Sequence, residues 1–158
     1  MNIELKGVVF EDFINYKKPS MYLAFPKCDF KCDRECGRAV CQNSQLANSE
    51  NISVNIQRLV EKYLKSDIAK AVVCGGLEPL DSFEQLHAFV KYFRLFKDDD
   101  IVIYTGYTEE EAKRKIGTLK KYNNIVVKFG RFIPNKTAHY DEVLGVKLAS
   151  PNQYAKKF

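Results

Sequence analysis

The chain has 158 residues, which is enough for one domain with a sizeable hydrophobic core. Its composition, 46% hydrophobic and 28% charged, excludes a disordered polymer, and no apolar run approaches the ~20 residues that a membrane-spanning helix needs. The net charge of +5 is spread over scattered lysines, which argues against nucleic-acid binding. The first residues, MNIELKGVVF, contain no signal-peptide pattern, so we expect a cytoplasmic protein without a membrane partner.

The first third of the chain predicts two strands, a loop and a helix. Residues 3–10 alternate in hydrophobicity enough for a first strand, and residues 20–26 predict a second. Residues 27–50 are polar, weakly periodic and rich in cysteine, and therefore predict a loop. A helix is expected over about 54–66, with Ser53 as its N-cap.

The rest of the chain alternates short apolar runs with helical patterns. The predicted strands cover 69–76, 100–106, 124–130 and 142–149; the predicted helices cover 83–96, capped by Asp81 or Ser82, and the residues after Thr108. This alternation indicates a parallel sheet with crossover helices, but there are too few units for a closed eight-fold barrel. We therefore expect an α/β fold: one domain over residues 1–158, a partial (open) β/α barrel of about five or six mostly parallel strands.

Three segments that carry unusual residues each follow a predicted strand directly. They are the cysteine loop at 27–43, the Gly75-Gly76 turn and the turn at 104–107. Ligands bind at the carboxyl ends of the strands in such sheets. We therefore expect the three segments to meet at one edge of the sheet.

Four of the five cysteines crowd into the loop, at positions 28, 32, 36 and 41. A secreted disulfide scaffold would spread its cysteines along the chain, whereas a tight cluster in a cytosolic protein indicates metal binding. The spacings of three, three and four residues suit an iron–sulfur cluster wrapped by one loop. A compact four-cysteine zinc site is the alternative.

The C-x3-C pair followed by a third cysteine resembles the cluster loop of radical S-adenosylmethionine enzymes. The resemblance implies that three thiolates bind three irons of a 4Fe-4S cluster and that the fourth iron is open to S-adenosyl-L-methionine (SAM). Cys28 and Cys32 match the first two positions. The third cysteine departs from the family's two-residue spacing: Cys41 is the expected ligand, and Cys36 is the alternative.

The segment Gly75-Gly76-Leu77-Glu78-Pro79 resembles the Gly-Gly-Glu-Pro turn of the same family, although Leu77 interrupts it. An ordinary turn between a strand and a helix is the alternative, with Pro79 starting the helix. The resemblance implies that main-chain groups of this turn contact the methionine amine. The residues expected to bind SAM are then Val40, Gly75, Gly76, Glu78, Thr105 and Gly106.

Three later segments resemble the small activating proteins of anaerobic (class III) ribonucleotide reductase. Residues 104–107 match their YTGY segment, and residues 150–153 match their closing Ser-x-Asn-Gln. Residues 127–132 are similar to their Val-Asp-Gly-x-Phe stretch, with Lys128 in place of the acid. The resemblance covers about residues 7–153.

The resemblance implies a glycyl-radical-enzyme activase. A flavodoxin- or ferredoxin-like donor would reduce the cluster, the sulfur–C5′ bond of SAM would break, and the resulting 5′-deoxyadenosyl radical would remove a hydrogen from a glycine of the reductase. No catalytic side chain beyond the cluster ligands is expected. The alternatives are a radical SAM enzyme that acts on another peptide or small molecule, and a zinc- or cluster-bound interaction module without catalysis.

Overall fold

The computed structural model describes residues 1–28 and 44–158, so Val40, Cys32, Cys36 and Cys41 lie outside the described residues. The strands are β1 Asn2–Leu5, β2 Gly7–Asp12, β3 Ser20–Phe25, β4 Ile52–Asn55, β5 Ala71–Gly76, β6 Asp100–Tyr104, β7 Ile125–Phe129, β8 His139–Asp141, β9 Val146–Leu148 and β10 Tyr154–Lys157. The helices are α1 Ser44–Ala47, α2 Ile56–Lys65, α3 Phe83–Phe93 and α4 Glu109–Leu119, with a 3-10 turn at Pro79–Ser82.

The central sheet has six strands in the order β10-β7-β6-β5-β3-β2. The pairs β3–β5, β5–β6 and β6–β7 are parallel, and antiparallel β2 and β10 form the two edges. Its central strands are almost continuous apolar runs, because both of their faces are buried. Their carboxyl ends therefore lie side by side along one edge of the sheet.

The two faces of the sheet are covered by different kinds of element. On one face α2, α3 and α4 pack against alternate strand residues such as Cys74 and Ile103. On the other face Tyr16 and Leu144, from a loop and from the segment between β8 and β9, cover residues such as Val102. Helices on one face alone are the arrangement of a β/α barrel segment, whereas a doubly wound sheet has them on both. The partial barrel stays a prediction, which this layer order favours.

The structure corrects the prediction of a single strand over 3–10. The strand is interrupted at Lys6, whose N–H donates to Ala24 O at 2.7 Å. β1 precedes this residue and β2 follows it. β1 pairs antiparallel with β4 in a separate two-stranded sheet. Residues on both sides of Lys6 have strand-like alternation, so the sequence pattern did not predict that they form two strands in different sheets.

The predicted N-cap of α2 was wrong. Ser53 lies within β4, and the cap is Asn55, whose side chain accepts a hydrogen bond from Arg58 N at 3.2 Å. Serine and asparagine cap helices about equally well, so pairing with β1 decides between them. The capping prediction for α4 is confirmed: Thr108 and Glu111 form a reciprocal capping box.

The start of α3 differs from the prediction in its geometry. A 3-10 turn precedes the helix and is capped by Glu78, whose side chain accepts from Leu80 N. Ser82 occupies the N-cap position of α3 without a side-chain capping bond. Asp81 lies inside the turn and accepts a hydrogen bond from the hydroxyl of Tyr107 at 2.5 Å.

The C-terminal region also departs from the prediction. The strand expected over 142–149 is a hairpin of β8 and β9, which turns at Gly145 with a φ of +73°. Asp141 fixes this turn by accepting a hydrogen bond from Leu144 N at 2.9 Å. Strand β10 was not predicted, because a short edge strand with charged residues lacks a long apolar pattern.

A cluster of charges lies at the amino end of β6, away from the carboxyl ends of the strands. The buried carboxylate of Asp100 accepts hydrogen bonds from Tyr16 Oη at 2.8 Å, Lys18 Nζ at 2.9 Å and Lys157 Nζ at 3.1 Å. Burial alone raises the pKa of Asp100, but these three bonds outweigh it and lower the pKa.

In the described ranges, none of the helices combines the length and the apolar character needed to cross a bilayer.

Candidate functional site

A cavity of about 430 Å³ lies at the carboxyl ends of the parallel strands. Its walls come from the turns that follow β5, β6 and β7, from the β9 region and from Cys28, the first cysteine of the loop. The volume is within the range of roughly 300–1,000 Å³ that is typical of small-molecule sites. The location is the one expected for a ligand of a parallel α/β sheet.

The predicted site residues that the structure describes meet in this cavity. Its lining includes Cys28, Gly75, Gly76, Glu78, Thr105 and Gly106. They come from three segments that are far apart in the sequence, and the parallel register of β3, β5 and β6 brings them together. Val40 and the other three loop cysteines lie outside the described residues.

Main-chain hydrogen bonds hold the start of the cysteine loop against the glycine turn. Leu77 N donates to Phe25 O at 3.0 Å, and Glu78 N donates to Lys27 O at 2.6 Å. These two bonds continue the β3–β5 ladder beyond the ends of both strands. Cys28 is half-buried and follows directly, so its position beside the cavity is fixed by the backbone.

The two glycines are required by close packing within the protein. Gly76 has a φ of +84°, and a Cβ there would lie 2.8 Å from Ala24 Cα and from Phe25 N. A Cβ on Gly75 would lie 2.6 Å from the hydroxyl oxygen of Tyr22. That hydroxyl in turn accepts a hydrogen bond from Gly76 N at 2.6 Å. The glycines therefore let the turn lie directly against β3.

The N–H groups of this turn are already engaged. Those of Gly76, Leu77 and Glu78 donate to Tyr22 Oη, Phe25 O and Lys27 O. A ligand that meets this turn must therefore bind through acceptors on the protein. An ammonium group has donors only and needs such acceptors, which carbonyl oxygens supply.

Glu78 connects the first turn to the second. Its carboxylate accepts from Leu80 N at 3.1 Å and from Gly106 N at 2.8 Å, and it also bonds the Thr105 side chain. The residue is only 6% exposed. Burial raises the pKa of Glu78 to about 7, although the three hydrogen bonds act in the opposite direction. Glu78 thus changes its charge near neutral pH inside the cavity wall.

Lys128 lies at the end of β7, opposite Tyr104 in the parallel ladder. It is 7% exposed and lines the cavity. Its ammonium group donates to Thr105 O at 3.2 Å and to Gly130 O at 2.9 Å, so it joins the turns that follow β6 and β7. A positive charge is therefore built into the wall.

The segment 150–153 braces the turn after β7. The Gln153 side chain donates to Gly130 O at 3.3 Å and accepts from Ser150 N at 3.2 Å. Asn152 donates to Arg131 O at 2.8 Å. Gln153 also lines the cavity, so this segment contributes to its wall as well as to its support.

Several lining residues were not predicted. Tyr22 and Tyr104 point to the same face as Lys128, because side chains on a strand alternate and the register aligns them. This alternation was a usable signal once the strand order was known. Asn15 and Lys147 come from the loop and the hairpin that cover the second face of the sheet, and the sequence contained no signal for their placement.

The fold and the site together define an α/β domain with a cavity at the carboxyl ends of its parallel strands, and Cys28 lies in the lining of that cavity. A family model described as a 4Fe-4S single cluster domain matches residues 20–150. The chain belongs to this family, and the predicted 4Fe-4S cluster is confirmed at that level. Comparisons with curated proteins and with solved structures gave no match.

The chemistry of the site fits such a cluster. Thiolates are the usual ligands of 4Fe-4S clusters, and Cys28, the first cysteine of the loop, stands at the edge of the cavity. A cluster bound by this loop would therefore lie beside a space large enough for a small molecule.

Proposed function

We propose that the protein is a radical SAM enzyme: an iron–sulfur protein that reductively cleaves SAM to a 5′-deoxyadenosyl radical and installs a glycyl radical on anaerobic ribonucleotide reductase. One observation carries this proposal. The first cysteine of the loop, Cys28, and the Gly75–Glu78 turn line the same cavity, and the residue before that cysteine, Lys27, accepts a main-chain hydrogen bond from Glu78 N. This neighbourhood of Cys28 and the glycine turn supports the proposal that a cluster and an amino-acid ligand share the cavity.

The proposed ligands of the cluster are Cys28, Cys32 and Cys41, with Cys36 as the alternative third ligand. When bound, a 4Fe-4S cluster with one open iron supplies the electron that cleaves SAM. A ligand set of three thiolates leaves that iron accessible, whereas four thiolates would close it. The number of cysteines that bind therefore separates an enzyme from a cluster-stapled interaction module.

The residues of the chain would hold the cofactor. The N–H groups of the glycine turn are engaged, which leaves carbonyl groups as its contribution to binding the methionine ammonium. Thr105 and Gly106 form the adjoining wall, and Glu78 fixes them relative to the glycine turn. The rings of Tyr22 and Tyr104 add flat surface of the kind on which planar groups pack.

The proposed partners rest on the segments that resemble the activating proteins. Both Tyr104–Gly106 and Gln153 contribute to the cavity wall, so these segments belong to the same site as Cys28. A glycyl-radical enzyme would present its glycine at this cavity. A flavodoxin- or ferredoxin-like protein would supply the electron.

The test is anaerobic reconstitution with iron and sulfide, reduction in the presence of SAM, and measurement of 5′-deoxyadenosine by chromatography. Alanine variants of Cys28, Cys32 and Cys41 are expected to lose the product, and Cys36→Ala to keep it. Cys74→Ala is the matched control: it removes a fully buried thiol on the helix-covered face of the sheet and is expected to keep both iron and product.

The partner is tested separately. The active protein is incubated with purified anaerobic ribonucleotide reductase, and the glycyl radical is sought by electron paramagnetic resonance. Cofactor cleavage without this radical would point to another peptide or small molecule as substrate. A cluster or zinc ion bound without any cofactor cleavage would refute the enzyme and leave an interaction module.

A further inference from the structure

Large apolar side chains are exposed on the two segments that cover the second face of the sheet. Phe13 and Ile14, in the loop between β2 and β3, are 61% and 78% exposed, and Tyr140 in β8 is 61% exposed. Single exposed apolar residues are ordinary, whereas several on neighbouring segments mark a surface that binds a partner.

The loop between β2 and β3 is anchored at the cavity by its main chain. Asn15 lines the cavity, and its carbonyl oxygen accepts a hydrogen bond from the hydroxyl of Tyr104 at 2.5 Å. Two residues later, Lys17 N donates to Leu144 O at 2.7 Å, which ties the loop to the hairpin of β8 and β9. Ile14 directly precedes Asn15, so this exposed side chain borders the cavity.

The hairpin borders the cavity as well. Lys147 and Leu148 in β9 line it, and Tyr140 pairs with Lys147 across the two strands. Leu148 is buried against the sheet, so the alternation of side chains directs its neighbour Lys147 and the paired Tyr140 outward. These outward side chains and those of the loop form one surface beside the cavity. Its members, called the rim below, are Phe13, Ile14, Tyr140 and Lys147.

The charge that the rim presents is positive. Lys147 is exposed and takes part in no ion pair among the described residues. Of the two acids in the hairpin, Asp141 is buried and accepts hydrogen bonds from Leu144 N and Ala155 N, and Glu142 lies in the turn. The rim therefore favours a partner with an acidic group. A second copy of the chain fits poorly, because a symmetric contact would bring both copies of Lys147 into one interface.

Resting on the proposed function, we infer that the rim binds the segment of the partner enzyme that carries the target glycine. The glycine has to reach the cavity, so the residues that flank it cross the surface beside the opening. Apolar side chains of that segment pack on Phe13, Ile14 and Tyr140, since a few exposed aromatic and aliphatic anchors supply most of the affinity of an interface. An acidic side chain of the segment lies opposite Lys147, which steers association and fixes the register of the segment.

The experiment measures binding of purified anaerobic ribonucleotide reductase to the cluster-loaded protein by anaerobic biolayer interferometry in the presence of SAM. The double variant Phe13→Ser/Ile14→Ser and the variant Tyr140→Ser are each expected to weaken binding roughly 10-fold or more. The matched control is Leu95→Ser, which removes a side chain that is 71% exposed just beyond the end of α3. It is expected to change the affinity less than about threefold.

A second measurement shows that the rim variants keep the cofactor site. None of the three replaced side chains is in the lining of the cavity, so formation of 5′-deoxyadenosine without the reductase is expected to equal that of the wild type. A rim that acts on the partner alone therefore separates the two readouts.

The charge is tested by reversal. Lys147→Glu is expected to slow association with the reductase, and the difference from the wild type should shrink as the salt concentration rises. Lys113→Glu makes the same change in charge at an exposed position of α4, and its association rate should stay within about threefold of the wild-type rate.

The outcomes separate this inference from the proposed function. If the rim variants bind the reductase as the wild type does, or if Leu95→Ser weakens binding equally, the inference is overturned and the proposed function stands. If light scattering shows a dimeric wild type and monomeric rim variants, a second copy occupies the rim, and the inference is also overturned. If the wild type cleaves SAM without binding the reductase, the proposed partner fails together with the rim. If the wild type cleaves no SAM, the proposed function itself fails.

Discussion

Substitution of Glu78 by glutamine should change how the stability of the protein depends on pH. Burial raises the pKa of Glu78 from 4.5 to about 7 in the folded state. Between these values the native state binds more protons than the unfolded state, so the free energy of unfolding falls as the pH rises. At about 1.4 kcal/mol per pH unit, this one carboxyl makes the protein roughly 3 kcal/mol less stable above pH 7 than below pH 4.5.

The Glu78→Gln variant has no proton to lose. It also lacks one of the two oxygens that accept from Leu80 N and Gly106 N, so at low pH it is expected to be less stable than the wild type. As the pH rises from 4.5 to 7, the variant should become more stable relative to the wild type by roughly 3 kcal/mol. Urea unfolding followed by circular dichroism at several pH values measures this difference.

The control for Glu78→Gln is Glu61→Gln, which removes an exposed carboxyl on α2. The difference in the free energy of unfolding between this variant and the wild type should stay constant across the same pH range. Contributions from the cluster are common to the proteins compared and cancel in the difference. Parallel curves for wild type and Glu78→Gln would refute the reasoning, because they would mean that Glu78 binds the same number of protons in both states.

Three further predictions concern packing and charge. Gly76→Ala should lower the free energy of unfolding by roughly 3 kcal/mol, because the methyl group meets the main chain of β3 at a positive φ. Gly75→Ala should also destabilise the protein, and Tyr22→Phe should restore part of the lost stability, because it removes the hydroxyl oxygen that would lie 2.6 Å from the new Cβ. Denaturant unfolding of these variants tests both predictions. The packing argument would be contradicted if Gly75→Ala lowered the free energy of unfolding by the same amount in the Tyr22→Phe background as in the wild type. Asp100→Asn should cost roughly 1–3 kcal/mol at neutral pH. The pKa of Asp100 is lowered below 3.8, so this stabilisation is lost as the pH falls through the folded value, and an equal deficit at pH 2.5 and pH 7 would count against it.

The sequence predicted best those elements whose signals are local or continuous. Strands β5, β6 and β7 were found because burial on both faces makes them almost continuous apolar runs. The start of α4 was found because its capping box involves residues only three apart. β4 and β10 were missed because each exists through pairing with a distant strand, and no local pattern records that pairing.

The site was predicted to the extent that topology alone determines it. Residues that follow parallel strands must meet at one edge, and Cys28, Gly75 and Thr105 do so. The position of Tyr22 against Gly75 depends on the register between β3 and β5, which the sequence does not state. The sequence alone therefore could not predict that Gly75 makes room for the side chain of Tyr22.

Leu77, which departs from the resembled glycine motif, is accommodated by hydrogen bonds between the turns. Leu77 adds a residue to the glycine turn, but its N–H pairs with Phe25 O, and the next N–H pairs with Lys27 O. The extra residue thus extends the ladder and carries Glu78 to the N–H of Gly106. Because the turn is hydrogen-bonded to Phe25 and Lys27 on one side and to Gly106 on the other, the cavity wall is continuous from Cys28 to the end of β6.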